Sequence, residues 1–222
     1  MVARGAAKRM GGTTMNDLLL RRRISAINST PSLPYDAQVE YLQGDGDAYI
    51  DTGIAGGNDT LSIEIKAYWS GFVNYAAFFG NQTTSGYNTT RIIQSNGGTK
   101  LYGGINQGGA VLTENATLNA WHIILLEKNY FTLDGVRVSI SNTSQSTNNS
   151  NIALFNRSVV NPYTVKRDIG LKYEYVKFMD NGVLVRDYIP VRVGTTGYLY
   201  DKVSGTLFGN IGTGNFILGN DV

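Results

Sequence analysis

The chain has 222 residues, enough for one sizeable core, and a single all-β domain can fill that length. It has no cysteine and one histidine, His122, which excludes a disulfide framework and thiolate chemistry and leaves zinc sites and Ser/Cys–His catalysis poorly supplied. The net charge of +2 hides an asymmetry, because residues 1–34 hold Arg4, Lys8, Arg9, Arg21, Arg22 and Arg23 against Asp17 alone, while the remainder is slightly acidic.

In chain order, residues 1–15, MVARGAAKRMGGTTM, are small, polar and basic with a Gly-Gly break, and read as an extended arm. Asn16 is a candidate N-cap, and Leu20, Ile24 and Ile27 fall at i, i+4 and i+7, which predicts a short helix over 16–27. Pro31 and Pro34 bias the residues before them to extended backbone, so the helix ends and residues 28–35 form a linker. The expected division is a basic arm, residues 1–34, and a body, residues 35–222. No apolar run approaches a bilayer span, and Leu18–Leu20 is too short for a signal-peptide core, so synthesis without export is expected.

The body reads as strand after strand, with 27 glycines and 14 tyrosines supplying turns and β-favouring aromatics. LSIEIKAYW (61–69) alternates Leu61, Ile63, Ile65 and Ala67 against Ser62, Glu64 and Lys66, the pattern of a half-buried strand. YAAFFG, RIIQS, LYGGI, AWHIILLEKN, YFTLDGVRVSI and NIALFN are further strands, with a hairpin turn at Asp134-Gly135. SNTSQSTNNS (141–150) is almost devoid of apolar residues and reads as an exposed loop. A long hairpin follows about Asp180-Asn181-Gly182, then a smaller one within 197–209 and a Gly-rich tail. Strands at roughly 8–12-residue spacing with no intervening helix predict a sandwich, with a barrel as its rival.

Three of these stretches, YIDTGI (49–54), AWHIILLEKNYFTLDGVRV (120–138) and LKYEYVKFMDNGVLVRDYIPV (171–191), together resemble the laminin-G-like, concanavalin-type family over about residues 38–192. The resemblance implies an all-β, antiparallel jelly-roll sandwich. The ending, IPVRVGTTGYLYDKVSGTLFGNIGTGNFILG, is similar to a subgroup found in bacteriophages and prophages of gut bacteria, in virion fibre, tail or head-decoration proteins. That similarity implies a non-enzymatic virion structural protein displaying a lectin-like domain. The alternative is a carbohydrate-binding module of a gut bacterium or phage that recognises surface glycans. The subgroup has no well-defined functional residues, so architecture and setting carry over and a site does not.

Candidate sites are sparse. Counted as an EF-hand from Asp45, the chain places Tyr49 at position 5, Ile50 at 6 and Gly56 at 12, and the loop fails. A rim calcium site drawing on Asp45 and Asp47 stays open. The plainer reading is that Gly44-Asp45-Gly46-Asp47 is a tight turn into the first sandwich strand at Tyr49 and Ile50, closed by Asp51-Thr52-Gly53. Retaining glycosidases need two carboxylates roughly 5 Å apart. The strands offer a lone Glu64, or Glu174 with a distant Asp180, so no catalytic residue and no enzyme is expected. Nothing in the sequence supplies His122 with a nucleophile or an orienting acid, and it reads as structural.

Trp69, Tyr75, Tyr87 and Tyr102 lie at strand ends or glycine-rich loops where aromatics could stack on sugars, although core and cross-strand packing is the preferred reading of them. On the arm, Leu20, Ile24 and Ile27 would fill a partner's groove while Arg21, Arg22 and Arg23 pair with its acidic rim. No aromatics are interleaved there to stack bases, so no specific nucleic acid is expected. The expected partners are other virion proteins held through the arm, further copies in a symmetric oligomer, and host surface glycans, with no cofactor and no membrane.

Overall fold

The computed structural model describes residues 32–81, 89–95, 100–107, 110–111, 115–140, 149–157 and 169–222. The expected helix at 16–27, the anchoring residues Leu20, Arg21, Arg22, Arg23, Ile24 and Ile27, Tyr87, and residues 141–148 of the expected loop lie outside these. Among the described residues there is no helix, so none that is long and apolar enough to cross a membrane.

The strands are β1 (Ala37–Gln38), β2 (Leu42–Gly44), β3 (Ile50–Ala55), β4 (Leu61–Trp69), β5 (Ala77–Gly80), β6 (Thr89–Gln94), β7 (Leu101–Gln107) and β8 (Ala110–Val111). They continue as β9 (Ala120–Glu127), β10 (Tyr130–Leu133), β11 (Val136–Ser139), β12 (Asn151–Leu154), β13 (Lys172–Asp180), β14 (Val183–Val193), β15 (Thr196–Asp201), β16 (Thr206–Phe208) and β17 (Phe216–Leu218). All pairings are antiparallel. One sheet runs β11-β10-β9-β4-β13-β14-β15-β16, with β1 beside β14 and β2 bridging β13 and β17; the other runs β3-β12-β5-β6-β7-β8.

Alternation explains how the two sheets share a core. Leu61, Ile63, Ile65, Ala67 and Trp69 of β4 all point inward and are buried, while Ser62, Glu64, Lys66 and Tyr68 point out. Phe78, Phe79, Ile92, Leu101, Ile105, Ile152 and Leu154 from the smaller sheet meet them in one cluster. Gly103 lets β7 approach the larger sheet, since a Cβ there would stand 3.2 Å from Leu126. The layers are also tied by buried phenols: Tyr173 donates to the Phe78 carbonyl, and Tyr188 donates to the Thr52 carbonyl at 3.0 Å. Burial pushes both phenols well above their usual pKa, so both remain donors. The result is a sandwich-like pair of facing sheets.

The expected hairpin turns are present. Asp134-Gly135 joins β10 to β11 and Asn181-Gly182 joins β13 to β14, with both residues of each pair at positive φ. Two expectations near the chain's ends need correction. The strand at Ile50 is the third rather than the first, and Asp51, Thr52 and Gly53 lie within β3 instead of closing it. The Gly-rich tail also contains a strand, β17, which pairs with β2, and Val39 bridges Asp221 beyond it.

Charge fastens this tail. Arg192 donates from Nε to Asp221 Oδ1 at 2.7 Å and from Nη2 to Oδ2 at 2.5 Å. The guanidinium holds the Asp221 carboxyl below its usual value of 3.8. A carboxyl whose folded pKa is depressed contributes stability above its unfolded pKa and loses that contribution as pH falls through the folded one. Stability is therefore expected to fall on acidification below 3.8, with Asp221→Asn removing that component. Because both groups are exposed the component is small and weakens in salt. Acid titration of the melting temperature in both proteins checks it.

Candidate functional site: an aromatic groove on the larger sheet

Strand parity decides which aromatics reach solvent. Trp69 closes the inward row of β4 and is fully buried, edge-on to Phe78 with ring centroids 4.9 Å apart. It therefore offers no face to a ligand, contrary to the expectation that it could stack on a sugar. Tyr68, one residue earlier, points outward. On β9 the same alternation turns His122 inward and leaves Trp121 39% exposed. The β4–β9 register sets Tyr68 beside Trp121, the β4–β13 register sets Lys172 beside Tyr68, and β2 brings Tyr41 up to the same end of β13.

The rings of Tyr68 and Tyr41 lie 5.7 Å and 6.4 Å from that of Trp121, tilted by 55° and 50°. They form a cup rather than a flat platform, around an open groove of about 480 Å3 rimmed by Glu40, Lys172 and Glu174. Lys172 Nζ lies 4.1 Å from the Tyr41 ring and 4.7 Å from the Tyr68 ring. Lys66 Nζ lies 5.9 Å from the Trp121 ring and pairs with Glu174 at 2.6 Å. Tyr68 donates to Asn119 Oδ1 at 3.1 Å, and Glu40 Oε2 accepts from the Asn220 amide and side chain. Apolar ring faces thus stand next to carboxylates and ammonium groups within one recess.

The other candidate residues fall elsewhere. Tyr75 is exposed, at positive φ in the loop after β4, and Tyr102 lies on β7 of the smaller sheet under the Arg91 guanidinium, 5.2 Å away. Asp45 Oδ1 accepts from the amides of Asp47 at 3.0 Å and Ala48 at 2.9 Å, and Oδ2 accepts from Asn215 at 2.7 Å. The carboxylate thus shapes its own turn and anchors the tail. Among the described residues no three His, Asp or Glu side chains gather as metal ligands. Asp45→Ala is expected to lower stability by about 1–3 kcal/mol through these lost acceptors. The melting temperature should fall equally with calcium or with chelator, and a calcium-dependent loss would restore a rim metal site.

The acids that hydrolysis would need are tied to lysines across the strands, Glu174 to Lys66 and Glu64 to Lys177 at 3.4 Å. Burial, and then Glu64 beside it, pushes the Tyr175 phenol up to about 12. His122 is buried with Nδ1 on Asp134 Oδ2 and Nε2 on the Thr117 carbonyl at 2.8 Å, so both ring nitrogens are engaged. The acid that the sequence did not supply for it is Asp134, from the β10–β11 turn, which also accepts from the Ile123 amide at 2.8 Å. This arrangement orders a corner of the sandwich, with the imidazole shielded from solvent and the Asp134 carboxylate on the turn about half exposed.

Sequence reasoning missed Tyr41, Tyr68, Trp121 and Lys172 as a group. Extending the alternation of Leu61 to Ala67 by one step buries Trp69 and exposes Tyr68, a signal present in the sequence. The β9 stretch AWHIILLE is apolar on both faces, so its parity was ambiguous until the register was known. No protein-family model matches the sequence, and no curated protein is significantly similar to it.

Proposed function

We propose that this chain is a non-enzymatic structural protein of a bacteriophage particle, whose body is a lectin-like jelly-roll module that binds surface glycans through the Tyr41–Tyr68–Trp121 groove. The observation that carries the glycan reading is the groove itself. A pyranose has an apolar C–H face that packs on aromatic rings and a belt of hydroxyls that exchange hydrogen bonds with Glu40, Lys172 and Glu174 around them. The jelly-roll assignment is supported by the chain's path, which crosses from β2 in the larger sheet to β3 in the smaller, back to β4, and over again to β5. The virion setting rests on the closing motif, similar to phage fibre and decoration proteins, and on the basic composition of residues 1–34, which suits an anchoring arm. Repetition in shells and fibres makes a symmetric oligomer the expected state.

The groove serves equally a carbohydrate-binding module of a gut bacterium, and particle composition separates the two settings. Mass spectrometry of purified virions should find the chain at high copy number. Deleting residues 1–27 should leave the body folded but absent from particles, and normal incorporation would remove the anchoring role. A glycan array probed with the whole chain tests the groove, and silence across all glycans would sink the lectin reading.

A further inference from the structure

Resting on that glycan reading, we infer that the groove selects sugars bearing a single carboxylate, with the Lys172 ammonium as the group that recognises the charge. Two lysines on strands of the larger sheet are neutralised by carboxylates, Lys66 by Glu174 at 2.6 Å and Lys177 by Glu64 at 3.4 Å, as is Lys202 in the β15–β16 turn by Asp187 at 2.7 Å. Lys172 has no such partner among the described residues, and instead rests over the faces of Tyr41 and Tyr68 at 4.1 and 4.7 Å. Aromatic faces attract a cation without cancelling its charge or using its N–H donors. A positive charge with donors to spare therefore sits in the groove that Trp121 also lines.

The surrounding acids limit how much negative charge a ligand can bring. Glu174 is matched by Lys66, while Glu40 is hydrogen-bonded to the neutral Asn220, has no cation paired to it among the described residues, and repels a second anion at the rim. A polysulfated chain fits this field poorly. A pyranose with one carboxylate, such as a uronic acid or a sialic acid, fits with its apolar face on Trp121, its carboxylate on Lys172 and its hydroxyls toward Glu40 and Glu174. A charge-assisted pair in a partly desolvated groove is worth about tenfold or more in affinity.

The test uses the full chain on an array of uronic-acid-containing, sialylated and neutral glycans, together with the acidic ones after chemical reduction of each carboxyl to the alcohol. Calorimetry on the strongest ligand then compares wild type with Lys172→Met and Lys172→Arg. The expected result is binding to one of the two carboxylated classes, lowered at least about tenfold by carboxyl reduction and by Lys172→Met, with Lys172→Arg retaining most of it. Added salt should weaken the acidic ligand and leave neutral ones unchanged. Binding indifferent to carboxyl reduction overturns the inference and leaves the glycan reading standing, whereas no binding to any glycan removes both. Because carboxyl reduction alters the ligand alone, a poorly folded variant cannot mask the answer.

Discussion

Asp201→Ala is expected to destabilise the fold by about 3–5 kcal/mol, the range for stripping one partner from a buried ion pair. The carboxylate is fully buried at the end of β15, where three strands converge. Its Oδ1 accepts from the amides of Asp187 at 2.9 Å and Val203 at 3.1 Å, and its Oδ2 accepts from Ser204 through the amide at 3.2 Å and the hydroxyl at 2.6 Å. Arg186 Nε lies 3.6 Å away, mostly shielded from water. Alanine would orphan these donors together and leave the guanidinium without its counter-charge. Asparagine keeps the volume and one acceptor oxygen, so Asp201→Asn should cost less, about 1–3 kcal/mol. Breaking the Lys202–Asp187 pair from its half-exposed lysine side, by Lys202→Ala, should cost less than either change at Asp201, about 1 kcal/mol. Urea unfolding of the three variants checks the order, and an Asp201→Ala protein within about 1 kcal/mol of wild type would show that the buried network is dispensable.

Asp201 also marks where the sequence stops being readable. In GYLYDKVSGTLFG the alternation and the Ser-Gly turn are enough to expect a hairpin, and β15 and β16 form one. That its aspartate turns inward, to be sealed against Arg186 on β14, depends on a neighbour 15 residues earlier in the chain, brought beside it by the β14–β15 pairing. The same division runs through the groove. The inward row of β4 was legible from period two, and Asp-Gly and Asn-Gly turns announced their hairpins. The order β9-β4-β13-β2 was not legible, because it joins segments around Trp121, Tyr68, Lys172 and Tyr41 that are remote in sequence. The short strands β1, β2 and β17 escaped for a different reason. Two or three residues carry no periodicity, and their stability comes from pairing with one another and with β13 and β14.

The two tryptophans should separate fold from function. Trp69→Ala is expected to cost about 3–5 kcal/mol, because it empties a fully buried site between Phe78 and the His122 ring, whose centroid lies 4.6 Å away. Trp121→Ala removes a partly exposed ring with room for water to follow, so stability should change by about 1 kcal/mol or less while glycan binding is lost. Both variants remove one indole from a chain that contains only two, so fluorescence reads each environment alone. Trp69 in a Trp121→Phe protein should emit at short wavelength, resist iodide quenching and ignore ligand. Trp121 in a Trp69→Phe protein should emit at longer wavelength, quench readily and respond when a glycan enters the groove. Substitution of Trp121 that left glycan binding intact would move the site off this face of the sheet. It would also turn attention to Tyr102 on the smaller sheet and to Tyr75 in the loop that leads into it, the described candidates away from the groove.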